Sequence, residues 1–167
     1  AMCNINITGH SLSDDDFQFF LLNAFEKYHI PPEKICFEIT ETLAIIKMND
    51  VVAFIKQFKR LGCTFAIDDF GSGFSSYAYL KNLPVDYVKI DGNFIRNILT
   101  DPIDLAMVTS IRDVASAMSI HTVAEFVESD EIMVQLGKMG LDFAQGYCIA
   151  EPAPLINFLS YNNGTKE

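Results

Sequence analysis

Two adjacent carboxylates, Asp68 and Asp69, follow an apolar, β-prone stretch at 64–67 and lead into a turn that contains Gly71 and Gly73. Two carboxylates about 4 Å apart repel each other by roughly 4 kcal/mol at an effective dielectric near 20. A fold that places them together normally supplies a cation or keeps one acid protonated. Because Asp and Gly also favour turns, a solvated turn is an equally good interpretation of this segment alone.

Hydrophilic side chains also follow short apolar runs at other places in the chain. These side chains are Asn6, Glu38, Lys89 with Asp91, Glu125 and Gln145. Helix-like segments separate the runs, and strands that alternate with helices predict parallel βαβ units whose strand ends lie on one side of a sheet. We therefore expect these groups and the Asp pair to converge on one face.

Capping residues and helical spacing of apolar side chains mark the helices between these strands. The predicted helices begin at the acidic run 13–16, at Asn49-Asp50, after Gly73, at Asp101-Pro102 and at Ser129, and two of them end at Gly62 and Gly140. The pattern amounts to about six βα units. A closed parallel barrel takes eight, so the sequence falls short of one by about two units.

Length and charge limit the classes of function. With 167 residues, half of them apolar, the chain can bury one sizeable core, and we interpret 1–167 as a single domain. The formal net charge of -10 disfavours binding to DNA or RNA polymers and direct contact with an anionic membrane. Neither a membrane-spanning run nor a signal peptide is visible, which makes a cytoplasmic location the default expectation.

We assign structural roles, rather than catalytic or metal-binding roles, to the cysteine, histidine and phenylalanine side chains. Cys3, Cys36, Cys63 and Cys148 form no C-x-x-C pair, and their apolar neighbours favour buried free thiols over a disulfide or zinc framework. The histidines lack the H-E-x-x-H arrangement. The phenylalanines predicted to pack in the core are Phe17, Phe19, Phe20, Phe54, Phe58 and Phe65.

Six motifs occur in order along almost the whole chain: Asn6-Ile7-Thr8, Phe37-Glu38-Ile39-Thr40-Glu41, the run 68–73, Lys89-Ile90-Asp91, the run 123–128 and Gln145-Gly146-Tyr147. In order and spacing the set resembles the EAL family of bacterial cyclic di-GMP phosphodiesterases. The resemblance implies an α/β fold, a (β/α)8 TIM-like barrel of EAL type with one antiparallel strand, present here as an incomplete barrel of about six βα units. It also implies a centre of two Mg²⁺ or Mn²⁺ ions and hydrolysis of cyclic di-GMP to pGpG in second-messenger signalling.

The resemblance assigns roles to individual residues. The implied metal ligands are Asn6, Glu38, Asp68 and Asp69, with Glu128 near the same centre. The residues implied to act on water, phosphate or substrate are Lys89, Glu125 and Gln145. The implied supporting residues are Thr40, Glu41 and Asp91. Hard oxygen ligands of this kind suit Mg²⁺ or Mn²⁺ better than zinc or copper.

Structural alternatives remain open for four of these residues. Glu41 and Asp91 could serve only to hydrogen-bond loop backbone, although the resemblance implies that Glu41 steadies the loop after the Asp pair. Lys89 could be an exposed cation near a strand end, which its apolar neighbours make the weaker interpretation. Gln145 could be an amide at the edge of the core.

Two departures from the family pattern bear on activity. The Glu-Ala-Leu tripeptide that names the family, whose glutamate would be a metal ligand, does not occur in these residues. Phe126 stands where the family usually has glycine, and a bulky side chain there could narrow the pocket or shift Glu125. We therefore expect an N-terminally truncated domain with weak or no turnover by itself.

Three functional hypotheses follow. The chain is part of a phosphodiesterase domain, a receptor that binds cyclic di-GMP without cleaving it, or an interaction module whose exposed sheet edges mediate assembly. The expected partners are cyclic di-GMP and a second copy in a homodimer, with upstream sensor or GGDEF-type domains possible in the parent protein. Whether that parent is anchored in a membrane is left open.

Overall fold

The computed structural model describes residues 2–73, 77–154 and 156. Its centre is one sheet of six parallel strands that curls into a half-barrel, and strands adjacent in sequence are adjacent in the sheet. The strands are Cys3–Asn6 (β1), Ile35–Thr40 (β2), Thr64–Phe70 (β3), Tyr87–Ile90 (β4), His121–Ala124 (β5) and Phe143–Ala144 (β6). All the predicted strands are confirmed. Their parallel pairing places every carboxyl end on the same side of the sheet.

Helices connect the strands throughout the described part of the chain. They are Gly9–Leu12 (α1), Asp15–Lys27 (α2), Glu41–Ile46 (α3), Met48–Lys59 (α4), Tyr77–Leu80 (α5), Gly92–Arg96 (α6), Pro102–Ala117 (α7) and Asp130–Met139 (α8), with a 3-10 turn at Pro32–Lys34. This alternation confirms the α/β class and the incomplete barrel of about six βα units. None of the described helices is both long and apolar enough to cross a membrane.

Side-chain caps mark the starts of helices α7 and α8, as the sequence predicts. Asp101 accepts a hydrogen bond from the Ile103 N–H before α7, and Ser129 accepts one from the Ile132 N–H before α8. Gly140 ends α8 in the left-handed conformation, with φ 77°, where glycine avoids the steric cost of a Cβ. These three predictions are confirmed.

Helix α2 begins at Asp15, within the predicted run 13–16, and Asp14 caps it. Two other helix starts differ from the sequence prediction. Helix α4 begins before Asn49-Asp50 without a side-chain cap, because α3 runs almost directly into it. The predicted helix after Gly73 is seen only as α5, and Phe74, Ser75 and Ser76 lie outside the described residues.

The core lies between the convex face of the sheet and the helices that cover it. Phe37, Phe54, Phe58 and Phe65 are almost fully buried there, and the rings of Phe54 and Phe58 lie 4.6 Å apart between centroids. Burying each such ring stabilises the fold by about 1.5–3 kcal/mol. Successive strand residues point to opposite faces, so this packing directs the alternate residues towards the concave face.

The core prediction is wrong for two phenylalanines. Phe19 and Phe20 of α2 are 66% and 62% exposed, because the side of that helix that packs on the core carries Phe17, Leu21 and Phe25. At about 100° per residue, Phe17, Leu21 and Phe25 span an arc of about 80°, whereas Phe19 lies on the opposite side of the helix and Phe20 lies beyond the margin of that arc.

The cysteine prediction holds only in part. All four thiols are free, and Cys36 and Cys63 are buried, whereas Cys3 is exposed and Cys148 is half-buried. Cys3 lies on β1, which is an edge strand of the described sheet. Burial raises the pKa of Cys36 and of Cys63 to about 11, which leaves both thiols protonated and unreactive at neutral pH.

Candidate metal centre

One ammonium group joins the ends of four neighbouring strands. Lys89, near the end of β4, donates hydrogen bonds to Asp68 Oδ1 at 2.7 Å and to Glu38 Oε2 at 3.0 Å. Its Nζ also lies 2.9 Å from Glu125 Oε1. Glu38 lies on β2, Asp68 on β3, and Glu125 directly follows β5. The structure therefore brings together four residues that are widely separated in sequence.

Burial strengthens the electrostatic interactions between Lys89 and the carboxylates. Glu38 and Lys89 are each 5% exposed and Glu125 is 7% exposed, so the alternative of Lys89 as an exposed cation is wrong. Burial alone would lower the pKa of Lys89, but its bonds to Asp68 and Glu125 raise that pKa above the ordinary value. Burial raises the pKa of Glu125 despite the neighbouring ammonium. One cation thus faces three acids, and the cluster keeps an excess of negative charge.

Asp68, Asp69 and Glu125 form a donor set that fits a divalent ion. One carboxylate oxygen from each lies within 4.8 Å of the others. Adjacent strand residues normally point to opposite faces, but Asp69 has φ 55° and the pairing of β3 with β4 shifts register between Ile67 and Phe70. This irregularity lets both aspartates reach the same side. Burial and the charge of Asp68 raise the pKa of Asp69, as expected for crowded acids.

A buried glutamate supports the loop that follows the Asp pair. Glu41, 1% exposed, accepts a hydrogen bond from the Gly71 N–H at 3.0 Å and another from the Tyr79 hydroxyl at 2.7 Å. These contacts agree with the steadying role implied for Glu41. Tyr79 was not identified from the sequence, because nothing in its spacing links it to Glu41, 38 residues away.

Two other supporting residues act as helix caps. Asp91 accepts a hydrogen bond from the Asn93 N–H at 2.7 Å at the start of α6. Thr40 accepts one from the Leu43 N–H at 3.4 Å at the start of α3. Asp91 therefore contacts loop backbone, as the interpretation of Asp91 as a purely structural residue requires. Both caps set the direction in which the chain leaves the strand ends.

The edge strands hold their polar residues more loosely. Asn6 on β1 pairs in register with Glu38 and is exposed, while Asn4 donates a hydrogen bond to Glu38 Oε1 at 2.7 Å. Asn4 was not identified from the sequence, although strand alternation places it on the same face as Asn6. Gln145 follows β6, and its backbone N–H donates to the Ala124 oxygen at 2.8 Å; its side chain lines the concave face.

Glu128 lies apart from the carboxylate cluster. Its side chain is 53% exposed and pairs with Arg96, with 3.6 Å between Glu128 Oε1 and Arg96 Nε. Glu128 and Glu125 nevertheless line one cleft together with Gln145. Its implied place near the metal ions stays a prediction.

Comparison with known proteins decides the family. Residues 1–152 match the family described as the EAL domain. This chain belongs to the EAL domain family. It is 46% identical over 155 residues to the cyclic di-GMP phosphodiesterase PdeB of Shewanella oneidensis, covering 93% of this chain and 18% of PdeB. The cyclic di-GMP phosphodiesterase PdeF of Escherichia coli is 39% identical over 156 residues, covering 93% of this chain and 21% of PdeF.

Solved structures confirm the EAL fold. The EAL enzyme Bd1971, bound to cAMP and cyclic di-GMP, superposes with a TM-score of 0.89 at 36% identity, covering 96% of this chain and 42% of Bd1971. The EAL chain described here spans about a fifth of the length of the curated relatives that it matches. Its Phe126, in the motif between Glu125 and Glu128, has φ 52°, in the left-handed region that glycine adopts without steric cost.

Proposed function

We propose that this EAL chain supplies most of the catalytic face of a phosphodiesterase that hydrolyses cyclic di-GMP to pGpG with the help of Mg²⁺ or Mn²⁺. The observation that carries the proposal is the convergence of Asp68, Asp69 and Glu125 within 4.8 Å around the ammonium of Lys89. The names of the phosphodiesterase relatives support the reaction, and the Bd1971 complex supports the ligand.

The donor set suggests how the residues divide the work. Asp68 and Asp69, with Glu38 and Asn6, would hold two divalent ions, which when bound activate water and neutralise charge on the phosphate. Glu128 remains a proposed ligand near the same ions.

Three further residues would act beside the ligands. Lys89 would place a compact positive charge against the attacking water or the phosphate. Glu125, whose pKa is raised by burial, would accept a proton from the attacking water. Gln145 would position water or substrate from the edge of the concave face.

Turnover by this chain alone should be weak, because the Glu-Ala-Leu glutamate is absent from its 167 residues. The test is to incubate the purified chain with cyclic di-GMP and Mn²⁺ and to separate the nucleotides by chromatography. We expect slow accumulation of pGpG that Asp68→Ala stops. Asp50→Ala, which changes an exposed acid in the first turn of α4, is the control. Equal accumulation with Asp68→Ala and with the unchanged chain would contradict the proposal.

A second candidate is a receptor that binds cyclic di-GMP without cleaving it. Phe126, in place of glycine beside Glu125, is the observation that favours it. Calorimetry that shows tight binding, with no pGpG in the recovered sample, would support the receptor over the enzyme.

The proposal also covers the oligomeric state of the chain and its location in the cell. Within the described sheet, the edge strands β1 and β6 each have a neighbour on one side only, and unpaired strand edges invite pairing with another chain. We propose a homodimer in the cytoplasm, and light scattering at several protein concentrations would show whether the mass doubles. A stable dimer that neither binds nor cleaves cyclic di-GMP would support the interaction module instead.

A further inference from the structure

Phe126 holds a backbone conformation that is unfavourable for its residue type. With φ 52° it lies in the left-handed region, which a residue with a bulky side chain rarely adopts. Such strain persists only where the surrounding structure enforces it, and it is concentrated at functional sites. The conformation therefore raises the question of what the side chain does.

One face of the Phe126 ring is covered by helix α6. A Cβ on Gly92 would collide with Phe126 Cδ2 and Cγ, so the ring packs directly against the glycine backbone. Four residues later on the same side of α6, the Arg96 guanidinium lies 4.3 Å from the ring centroid, within the range of a cation–π interaction. Arg96 also pairs with Glu128, which keeps the guanidinium on this side of the ring.

About half of Phe126 is open to solvent. Phe126 is 49% exposed although Gly92 and Arg96 cover part of it. Together with Glu125, Gln145 and Tyr147 it lines a cleft. Glu125 belongs to the carboxylate set around Lys89, so a ligand whose phosphate lies at that set has an aromatic surface within its reach.

We propose that Phe126 is a ligand-contacting residue whose open ring face stacks on a guanine base of the nucleotide held at the carboxylate set. This inference rests on the proposed function and adds a base-binding contact to it. Every base has a π-face that can stack on an aromatic side chain, and a ring already fixed from behind loses little freedom on stacking. The competing explanation is that Phe126 only packs on α6.

The test replaces the ring with the residue that its backbone prefers. Phe126→Gly accepts the left-handed φ without strain, so the variant should fold. With Mn²⁺ present, calorimetry should show cyclic di-GMP binding weakened about 5- to 150-fold relative to the unchanged chain, the range expected for one lost base–aromatic stack. Phe126→Tyr keeps the ring and should restore the affinity. Phe19→Leu, at a 66% exposed phenylalanine on α2, should leave it unchanged.

Smaller probes separate the base from the phosphate. In competition experiments Phe126→Gly should weaken the binding of GMP and leave that of ribose 5-phosphate unchanged. Equal weakening of both probes, or failure of Phe126→Tyr to restore affinity, would overturn the inference. A lower melting temperature for Phe126→Gly with unchanged affinity would show that the ring only packs.

The two proposals fail in different ways. If the unchanged chain binds cyclic di-GMP and Phe126→Gly binds it equally well, the stacking role is wrong and the proposed function stands. If the unchanged chain with Mn²⁺ binds no cyclic di-GMP, the proposed function fails and the stacking role fails with it.

Discussion

The middle of the sheet and its edges hold their polar side chains in different ways. Lys89 on β4 is 5% exposed and contacts carboxylates on both sides, because β4 has a strand on each side. Among the described strands, Asn6 on β1 has a neighbour on one side only, and Asn6 is exposed. The difference shows that central strands position a charge through their neighbours, whereas an edge residue depends on whatever approaches from outside the described sheet.

Removing the central cation should have the largest effect. Lys89→Met leaves buried acids without their ammonium, and breaking a buried ion pair from one side costs about 3–5 kcal/mol. We expect the free energy of unfolding, measured by urea denaturation in EDTA, to fall by about that amount and to recover in part when Mn²⁺ is added. Lys56→Met, at an exposed lysine of α4, is the matched control. A loss no larger than that of the control would remove the contrast between centre and edge.

The support of the Asp-pair loop should have the next largest effect. Tyr79→Phe removes a hydrogen bond to the Glu41 carboxylate, and such a bond to a charged group contributes about 1.5–3 kcal/mol; the change should also weaken Mn²⁺ binding by loosening the backbone at Gly71. Tyr77→Phe is the control, because the Tyr77 hydroxyl lies 3.0 Å from Ser110 Oγ, away from the metal centre. Equal Mn²⁺ affinity in both variants would show that the loop does not need Tyr79.

The contrast between the edge and the interior of the sheet should also appear in the reactivity of the cysteine thiols. At pH 8, Cys3 on the edge should react readily with a disulfide reagent, while Cys36 and Cys63 should not react until the chain unfolds. Because burial raises their pKa from 9.0 to about 11, their protonated forms are favoured in the folded state. Their contribution to stability is complete below pH 9 and is lost as the pH rises to about 11. Denaturation midpoints at pH 8 and pH 11 would check the sign, and rapid reaction of all the cysteines in the folded chain would contradict it.

The smallest effect on stability is expected at the edge. Asn6→Ala should change the free energy of unfolding by no more than about 0.5 kcal/mol, as is usual for exposed positions, yet it should weaken Mn²⁺ binding if Asn6 is a ligand. Thr109→Ala on α7, distant from the carboxylates, provides the control for Mn²⁺ titration. An unchanged Mn²⁺ affinity would remove Asn6 from the predicted ligands.

The sequence predicts what depends on local pattern. Strand order follows from alternating elements, and the caps Asp101 and Ser129 follow from side chains next to the helices that they begin. The convergence of Glu38, Lys89 and Glu125 was predictable because parallel strands place their ends on one side of a sheet.

Contacts between distant residues could not be predicted in this way. The Asn4 bond to Glu38 joins residues 34 apart, and the contact between Arg96 and Phe126 depends on how α6 packs beside the end of β5. The exposure of Phe19 on α2 depends on which side of the helix meets the core, and composition alone does not fix that choice.

The central claim is that the carboxylates on β3 and directly after β5 hold divalent cations, and Mn²⁺ titration of the full chain by calorimetry tests it most directly. Asp68→Asn keeps the shape of the side chain and removes its charge. The account predicts saturable Mn²⁺ binding by the unchanged chain and binding at least about tenfold weaker in Asp68→Asn, a loss of about 1.4 kcal/mol or more. Absence of Mn²⁺ binding by the unchanged chain, or the same affinity in both chains, would contradict it.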